Sequence, residues 1–197
     1  MKFAGIILAA GESSRMGTPK ALLEFEGRTF VRIICERMRE AGIGKVVAVI
    51  GAGKEEIQRE ADPGDIEWAV NEDYRRGQLS SLWCGLEAIR GAEGAVMTLV
   101  DHPVVEAATY RSLIEAFKQT PEHIVIPTVG GRRGHPIVFG AGHFCRFLEA
   151  PLDVGARWVV SGGVVPVREI PVKDEGVRAD IDTPEDYHRW VARGVGE

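Results

Sequence analysis

The chain has 197 residues, enough for one sizeable α/β domain and too few for two comfortable ones. Hydrophobic residues make up 45% and charged residues 27%, which excludes the disordered and fibrous classes. With 24 Lys and Arg against 29 Asp and Glu, the net charge of −5 argues against general nucleic-acid binding, where basic side chains must neutralise phosphates, but leaves room for a local pocket that takes a small anion.

The segment Met1-Lys2-Phe3-Ala4-Gly5-Ile6-Ile7-Leu8 is one charge followed by a short apolar run. It is too short to span a membrane and enters a glycine-rich loop rather than a clean cleavage site, so it reads as a buried strand over Phe3–Leu8. Further strands are predicted at Lys45–Ile50, Ile66–Val70, Ala95–Val100 and His123–Pro127. Several are nearly continuous Val, Ile and Leu, the pattern of parallel strands covered on both faces. Helices are predicted between them at Thr29–Ala41, Lys54–Ala61, Leu79–Ile89 and Ala107–Gln119. The first carries Phe30, Ile33, Ile34 and Met38 on one face and meets a C-cap at Gly42. A last helix starts near Pro184, because Thr183-Pro184-Glu185 sets a capping hydroxyl before a proline at the first helical position. Alternating strands and helices give a doubly wound α/β class with one domain over 1–197. The segment from Gly130 to Gly142 reads as a loop plus a short strand. Cys35, Cys84 and Cys145 form no CxxC pair, and Cys35 and Cys84 sit among apolar residues, so free thiols in a reducing, cytoplasmic setting are expected. Trp68, Trp83, Trp158 and Trp190 are assigned to the core or its rim.

Five stretches carry candidate chemistry. The first, Leu8-Ala9-Ala10-Gly11-Glu12-Ser13-Ser14-Arg15-Met16-Gly17-Thr18-Pro19-Lys20, directly follows the first strand. Its small residues let backbone N–H groups approach a triphosphate, and Arg15 and Lys20 supply fixed positive charge. It lacks the second glycine of a dinucleotide fingerprint and the Gly-Lys-Ser/Thr of a Walker loop. The second, Asp101-His102-Pro103, sets a carboxylate at the carboxyl end of a buried strand, where open α/β sheets bind ligands and where Mg²⁺ could be held. A turn or cap role for Asp101 is the alternative, and His102 either lines the pocket or serves the turn. The third is Asp180-Ile181-Asp182-Thr183-Pro184. Alternation there sets Asp180 and Asp182 on one side of a strand end, from which a carboxylate could share an ion with Asp101; the alternative is that Asp182 only precedes the last helix, with Glu185 and Asp186 at its positive end. The fourth runs from Asn71 through Gln78, Ser80 and Ser81, with polar groups at a helix start that either reach a nucleotide or cap the helix. The fifth, Gly130-Gly131-Arg132-Arg133-Gly134-His135-Pro136, either holds an anionic acceptor or is a plain flexible hairpin.

The first stretch resembles the signature loop of the nucleotidyltransferase superfamily. Together with Gly77-Gln78-Leu79-Ser80-Ser81-Leu82, Asp101-His102-Pro103, Gly131-Arg132-Arg133-Gly134-His135-Pro136, Asp153-Val154-Gly155-Ala156-Arg157 and Asp182-Thr183-Pro184-Glu185-Asp186, it is similar nearly end to end to the molybdenum cofactor cytidylyltransferase branch. The resemblance implies a Rossmann-like three-layer α/β/α sandwich with a mostly parallel central sheet, of the nucleotide-diphospho-sugar transferase type. It implies Mg²⁺-dependent transfer of CMP from CTP to the phosphate of molybdenum-molybdopterin, with release of pyrophosphate. A molybdenum enzyme would then receive the product, with no nucleic acid and no membrane involved. Arg15, Lys20 and Asp101 would be catalytic and Asp101 and Asp182 would hold the metal. Leu8, Ala9, Ala10, Gly11, Glu12, Ser13, Ser14, Arg15, Lys20, Asn71, Ser80 and Ser81 would meet the nucleotide, and His102, Arg133 and His135 the acceptor. Guanylyl relatives tend to carry glycine where this chain has Ala10, which tips the base toward cytosine. A sugar or polyol phosphate as acceptor, and a non-catalytic nucleotide sensor or cofactor-insertion module, are the competing expectations.

Overall fold

A computed structural model describes residues 1–61, 64 and 66–194. In chain order it contains β1 (Phe3–Ala9), a hairpin of β2 (Glu24–Phe25) and β3 (Arg28–Thr29), α1 (Phe30–Glu40), β4 (Lys45–Ile50), α2 (Lys54–Glu60) and β5 (Glu67–Val70). These are followed by α3 (Gln78–Ala88), β6 (Gly94–Leu99), α4 (Ala107–Gln119), β7 (Ile124–Val129), β8 (Arg132–Arg133) and β9 (Ile137–Gly140). The last elements are α5 (Phe144–Glu149), α6 (Arg157–Ser161), β10 (Val167–Pro171) and α7 (Pro184–Gly194).

The main sheet runs β10-β7-β9-β6-β1-β4-β5, with β8 paired to β7. β1 lies parallel to both β4 and β6, β4 parallel to β5, and β10 parallel to β7. β9 is antiparallel to β6 and to β7 and so joins the two parallel groups. Alternate residues serve opposite faces: Ile7 and Ala9 pack with α1, α2 and α4, whereas Ala4, Ile6 and Leu8 pack with α3, α5 and α6. The result is a Rossmann-like three-layer α/β/α sandwich with a mostly parallel sheet. In β4 every residue after Lys45 is buried, because both of its neighbours are paired and both faces are covered. Each such Val or Ile contributes roughly 1.5–3 kcal/mol on leaving water.

Helix ends follow their local chemistry. α1 closes in a Schellman motif: Gly42 has φ of 90°, its N–H bonds Arg39 O at 2.8 Å, and Ile43 N–H bonds Met38 O at 3.1 Å. α7 opens with a reciprocal cap, in which Asp186 N–H donates to Thr183 Oγ1 at 3.2 Å and Thr183 N–H to Asp186 Oδ2 at 3.1 Å. Cys35 is buried, Cys84 half-buried and Cys145 exposed, and all three are free.

Against the expectation from alternation, Asp180 and Asp182 do not lie on a strand; they sit in irregular chain between a 3₁₀ turn at Glu175–Arg178 and α7. That segment is docked by backbone contacts instead. Ile181 N–H donates to Asp101 O at 3.2 Å, and His135 N–H donates to Val177 O at 2.9 Å. Gly134 makes this docking possible, since a Cβ built there would lie 2.0 Å from Val177 O. Gly134→Ala is therefore expected to destabilise the fold by about 1–3 kcal/mol, as overpacking against unyielding backbone does. Urea unfolding of the variant against the parent chain measures it.

Candidate active site

The order of the strands reverses direction at β1, whose two parallel neighbours were laid down by crossovers in opposite senses. Open α/β sheets bind ligands outside the carboxyl ends of their strands at such a switch point. A cavity of about 400 Å³ opens there. Its lining comes from the end of β1 and the following loop (Leu8, Ala9, Ala10, Gly11, Ser13, Ser14, Arg15, Lys20), from the turn before α3 (Tyr74, Gly77) and from the start of α3 (Gln78, Ser81). The end of β6 (Leu99, Val100, Asp101) and Asp182 complete it.

The loop after β1 is held by Ser13. Its backbone adopts φ of 49°, and its hydroxyl accepts from Lys20 N–H at 3.0 Å. This closes the loop and brings the Lys20 side chain, only 11% exposed, back beneath it. Lys20 Nζ then lies 3.0 Å from Asp101 Oδ2 and also donates to Asp182 Oδ1. Burial lowers the affinity of Lys20 for its proton, but Asp101 and Asp182 outweigh it and the ammonium is held above its ordinary range. Asp101 shows the converse. Burial pushes its carboxyl up, yet His102 and Lys20 prevail and hold it at about 2. Arg15, at the exposed rim, lies 3.6 Å from Asp182 Oδ2.

Asp101, Asp180 and Asp182 each present an oxygen within 4.8 Å of the other two. Hard divalent cations favour such oxygen clusters, which one carboxylate alone does not offer. Burial first, and then Asp101 and Asp182, raise the Asp180 carboxyl, the expected mark of crowded like charge.

The other predicted residues are distributed unevenly. Ser81 lines the cavity, but Asn71 and Ser80 are buried beside it, with the Asn71 amide donating to both hydroxyls at 2.9 and 3.0 Å. Ser80 Oγ in turn donates to Gly77 O at 2.8 Å, so this pair supports the start of α3. Glu12 turns outward to Arg75 at 3.5 Å. Sequence reading did not place Tyr74 and Gly77 in the lining, and it assigned the metal to Asp101 and Asp182; Asp180, noted beside Asp182, stands as a third carboxylate.

A second cavity of about 250 Å³ shares Gln78 with the first. Met97, Ile126, Ile137 and Val160 give it an apolar floor, and Arg133, His135 and Arg157 reach it. Arg133 is committed to Glu169 at 2.7 Å, whereas Arg157 has no ion-pair or hydrogen-bond partner among the described residues. His102, expected to meet the acceptor, is 5% exposed and lines neither cavity. His135 Nδ1 is sealed from solvent without a hydrogen-bond partner among the described residues. Burial, then the neighbouring His102, push the His135 imidazole down to about 3. In the unfolded chain it would titrate near about 6.5, so between those values the unfolded state binds one proton more and stability falls as pH falls. His135→Asn is expected to lose about 1 kcal/mol less per pH unit than the parent chain below about pH 6.5. Denaturant titrations at a series of pH values read this slope.

The model of the MobA-like NTP transferase domain matches residues 5–167. The nicotine blue oxidoreductase of Paenarthrobacter nicotinovorans is 32% identical over 196 residues, with 95% of each chain covered. The molybdenum cofactor cytidylyltransferase of Escherichia coli (strain K12) is 26% identical over 183 residues, with 92% of each covered. Among solved structures, the complex of Rv0371c from Mycobacterium tuberculosis H37Rv with manganese superposes with a TM-score of 0.80 at 28% identity, over 98% of this chain and 99% of that one. These matches lead to one assignment: the chain belongs to the MobA-like NTP transferase family and is a nucleotidyltransferase by family.

Proposed function

We propose that the protein transfers CMP from CTP to the phosphate of a molybdenum-molybdopterin acceptor, releasing pyrophosphate, with Mg²⁺. The observation that carries this reading is the cavity at the switch point, where Lys20 and Arg15 face the carboxylates of Asp101 and Asp182. Cations and a dicarboxylate in one cleft suit a triphosphate and the metal that accompanies it, and suit little else. The nucleotide would lie along Leu8–Arg15 and beside Ser81, and the acceptor in the second cavity, with the reacting phosphorus near Gln78. Arg157, unlike Arg133 unpaired among the described residues, would meet the acceptor's phosphate.

In the reaction an acceptor phosphate oxygen bonds to the α-phosphorus, and the bond from that phosphorus to the β-bridging oxygen breaks. Pyrophosphate leaves with the electron pair. The attacking phosphate is already ionised at neutral pH, so no general base is required of the protein. Lys20 and Arg15 bind the triphosphate and stabilise charge on the leaving group. Mg²⁺ held by Asp101 and Asp182, with Asp180 alongside, would neutralise phosphate charge and template the in-line geometry. The gap between the two cavities is bridged by alignment rather than covalent chemistry.

Pyrophosphate release with each of the four NTPs, Mg²⁺ and molybdenum cofactor tests the reading. Release with CTP that disappears without the acceptor supports it. Release only with sugar or polyol phosphates shifts the acceptor, and tight CTP binding with no turnover favours a binding module. The relative from Paenarthrobacter nicotinovorans is named an oxidoreductase, so turnover of nicotine blue without pyrophosphate release would move the protein to redox chemistry. Lys20, Asp101 and Asp182 weigh against that outcome, because electron transfer gives such a cluster no task.

A further inference from the structure

His102 belongs to neither cavity, yet it is buried directly behind the carboxylate cluster, at 5% exposure. Its Nδ1 lies 2.8 Å from Asp101 Oδ1. The other carboxylate oxygen, Oδ2, faces Lys20 at 3.0 Å. The two oxygens of Asp101 are thus divided between a partner behind and the cluster in front. An ionised carboxylate only accepts, so Nδ1 must carry the hydrogen of this bond.

The residue is itself held by its backbone and by its ring. His102 N–H donates to Leu99 O at 3.3 Å, which ties its backbone to the end of β6. Its ring packs edge-to-face on His135, with centroids 5.0 Å apart and planes at 69°. Rotation about the last torsion of an aspartate is otherwise broad, so a carboxylate without such a partner samples many orientations. Outer partners that remove this freedom sharpen the ligand set they support.

We propose that His102 is a positioning residue, which locks the Asp101 carboxylate so that Oδ2 points at the cation site shared with Asp182. The proposal rests on the reading of Asp101 as a metal ligand. It gives His102 a role toward the nucleotide-bound metal and none in touching the acceptor.

The test compares His102→Asn with His102→Leu, which have nearly the same size. Both remove the ring and its packing on His135, but only asparagine keeps a donor where Nδ1 stands. Mn²⁺ is titrated into each variant and the parent chain by electron paramagnetic resonance, with CTP saturating and no acceptor present, so contact with an acceptor cannot enter. H102L is expected to bind Mn²⁺ about tenfold or more weakly than the parent, and H102N to recover most of the loss. Thermal unfolding of both variants is followed alongside, so that a loss of folding is told apart from a loss of metal affinity. Equal Mn²⁺ affinity in H102N and H102L overturns the proposal, whether or not both differ from the parent. Asp101→Asn separates the two levels of failure. If it binds Mn²⁺ as the parent does, the metal reading falls and the positioning role with it; if it binds weakly while H102L does not, only the positioning role falls.

Discussion

Asp101→Asn lowers turnover on the order of a hundredfold or more, measured as pyrophosphate release with CTP, acceptor and Mg²⁺ all saturating. The substitution keeps the size of the side chain and changes what its two terminal atoms can do. In the parent chain one oxygen accepts from His102 and the other from Lys20, and both donors approach to hydrogen-bond distance. An amide has one acceptor and one donor, so it must turn its NH₂ toward one of those donors. If the amide oxygen stays with His102, Lys20 meets a donor and the metal loses its ligand. If it turns to Lys20, the contact with His102 is lost instead. Either way the charge that held the site's cations in place is gone, and it stood in a buried setting where it was strongly felt. The loss should appear mainly in the rate at saturation, because a preorganised stabiliser acts on the transition state more than on bound substrate. Near-normal turnover with saturating Mg²⁺ would take Asp101 out of the mechanism.

The parts of the fold legible in the sequence are those whose signal is local. The unbroken apolar run of β4 reads the same in the sequence and in the structure, since burial on both faces leaves no polar position to blur it. α4 likewise keeps its predicted limits, and Pro184 begins α7 at the Thr-Pro pair. β10 escapes notice because it is an edge strand whose Val167-Arg168-Glu169-Ile170-Pro171 sequence is only partly buried at alternate positions. The short strand expected between Gly130 and Gly142 exists as β9, but nothing local says that it enters the middle of the sheet antiparallel to both neighbours. α5 and α6, of six and five residues, are too short to carry a helical period.

The site divides along the same line. Lys20, Arg15, Asp101 and Asp182 stand out because charged groups beside small residues and strand ends have few structural tasks. The structure brings all four to one cavity. Asn71 and Ser80 carry short polar side chains that backbone and each other can satisfy locally, so their pairing looks the same in sequence as ligand contact. Asp182 reaches Asp101 by a route that strand alternation does not describe. It depends on one backbone bond from Ile181 and on the close approach at Gly134, both set by tertiary docking across widely separated chain. His102 backs the Asp101 carboxylate and lines neither cavity, and residue type alone does not tell a pocket wall from the support behind it.

Lys20→Met is expected to lower turnover by roughly a hundredfold or more, like the loss of other fixed charges around a transferring phosphoryl group. Its effect on the resting protein is the sharper test. Lys20 is the ammonium that Asp101 and Asp182 share, and its side chain is as well buried as that of Asp101. Removing it leaves Asp101, Asp180 and Asp182 facing one another, offset by the His102 hydrogen bond to Asp101 and the exposed Arg15. Taking one partner from a buried ion pair costs about 3 kcal/mol or more, so the variant should unfold at lower temperature than the parent chain in the absence of divalent metal. A divalent cation can then do what the ammonium did. Mn²⁺ or Mg²⁺ should restore much of the lost stability in K20M, and the parent chain should gain far less, because its carboxylates are already paired and the ion must displace Lys20 to reach them. The two variants thus move in opposite directions: D101N loses metal affinity, and K20M, without nucleotide, gains it. Thermal unfolding across a metal titration reads both in one experiment. A K20M variant whose stability ignores divalent metal would mean that the three carboxylates are a lysine anchor and no cation site, and the triphosphate would then have to be held by Arg15, Lys20 and the loop backbone alone.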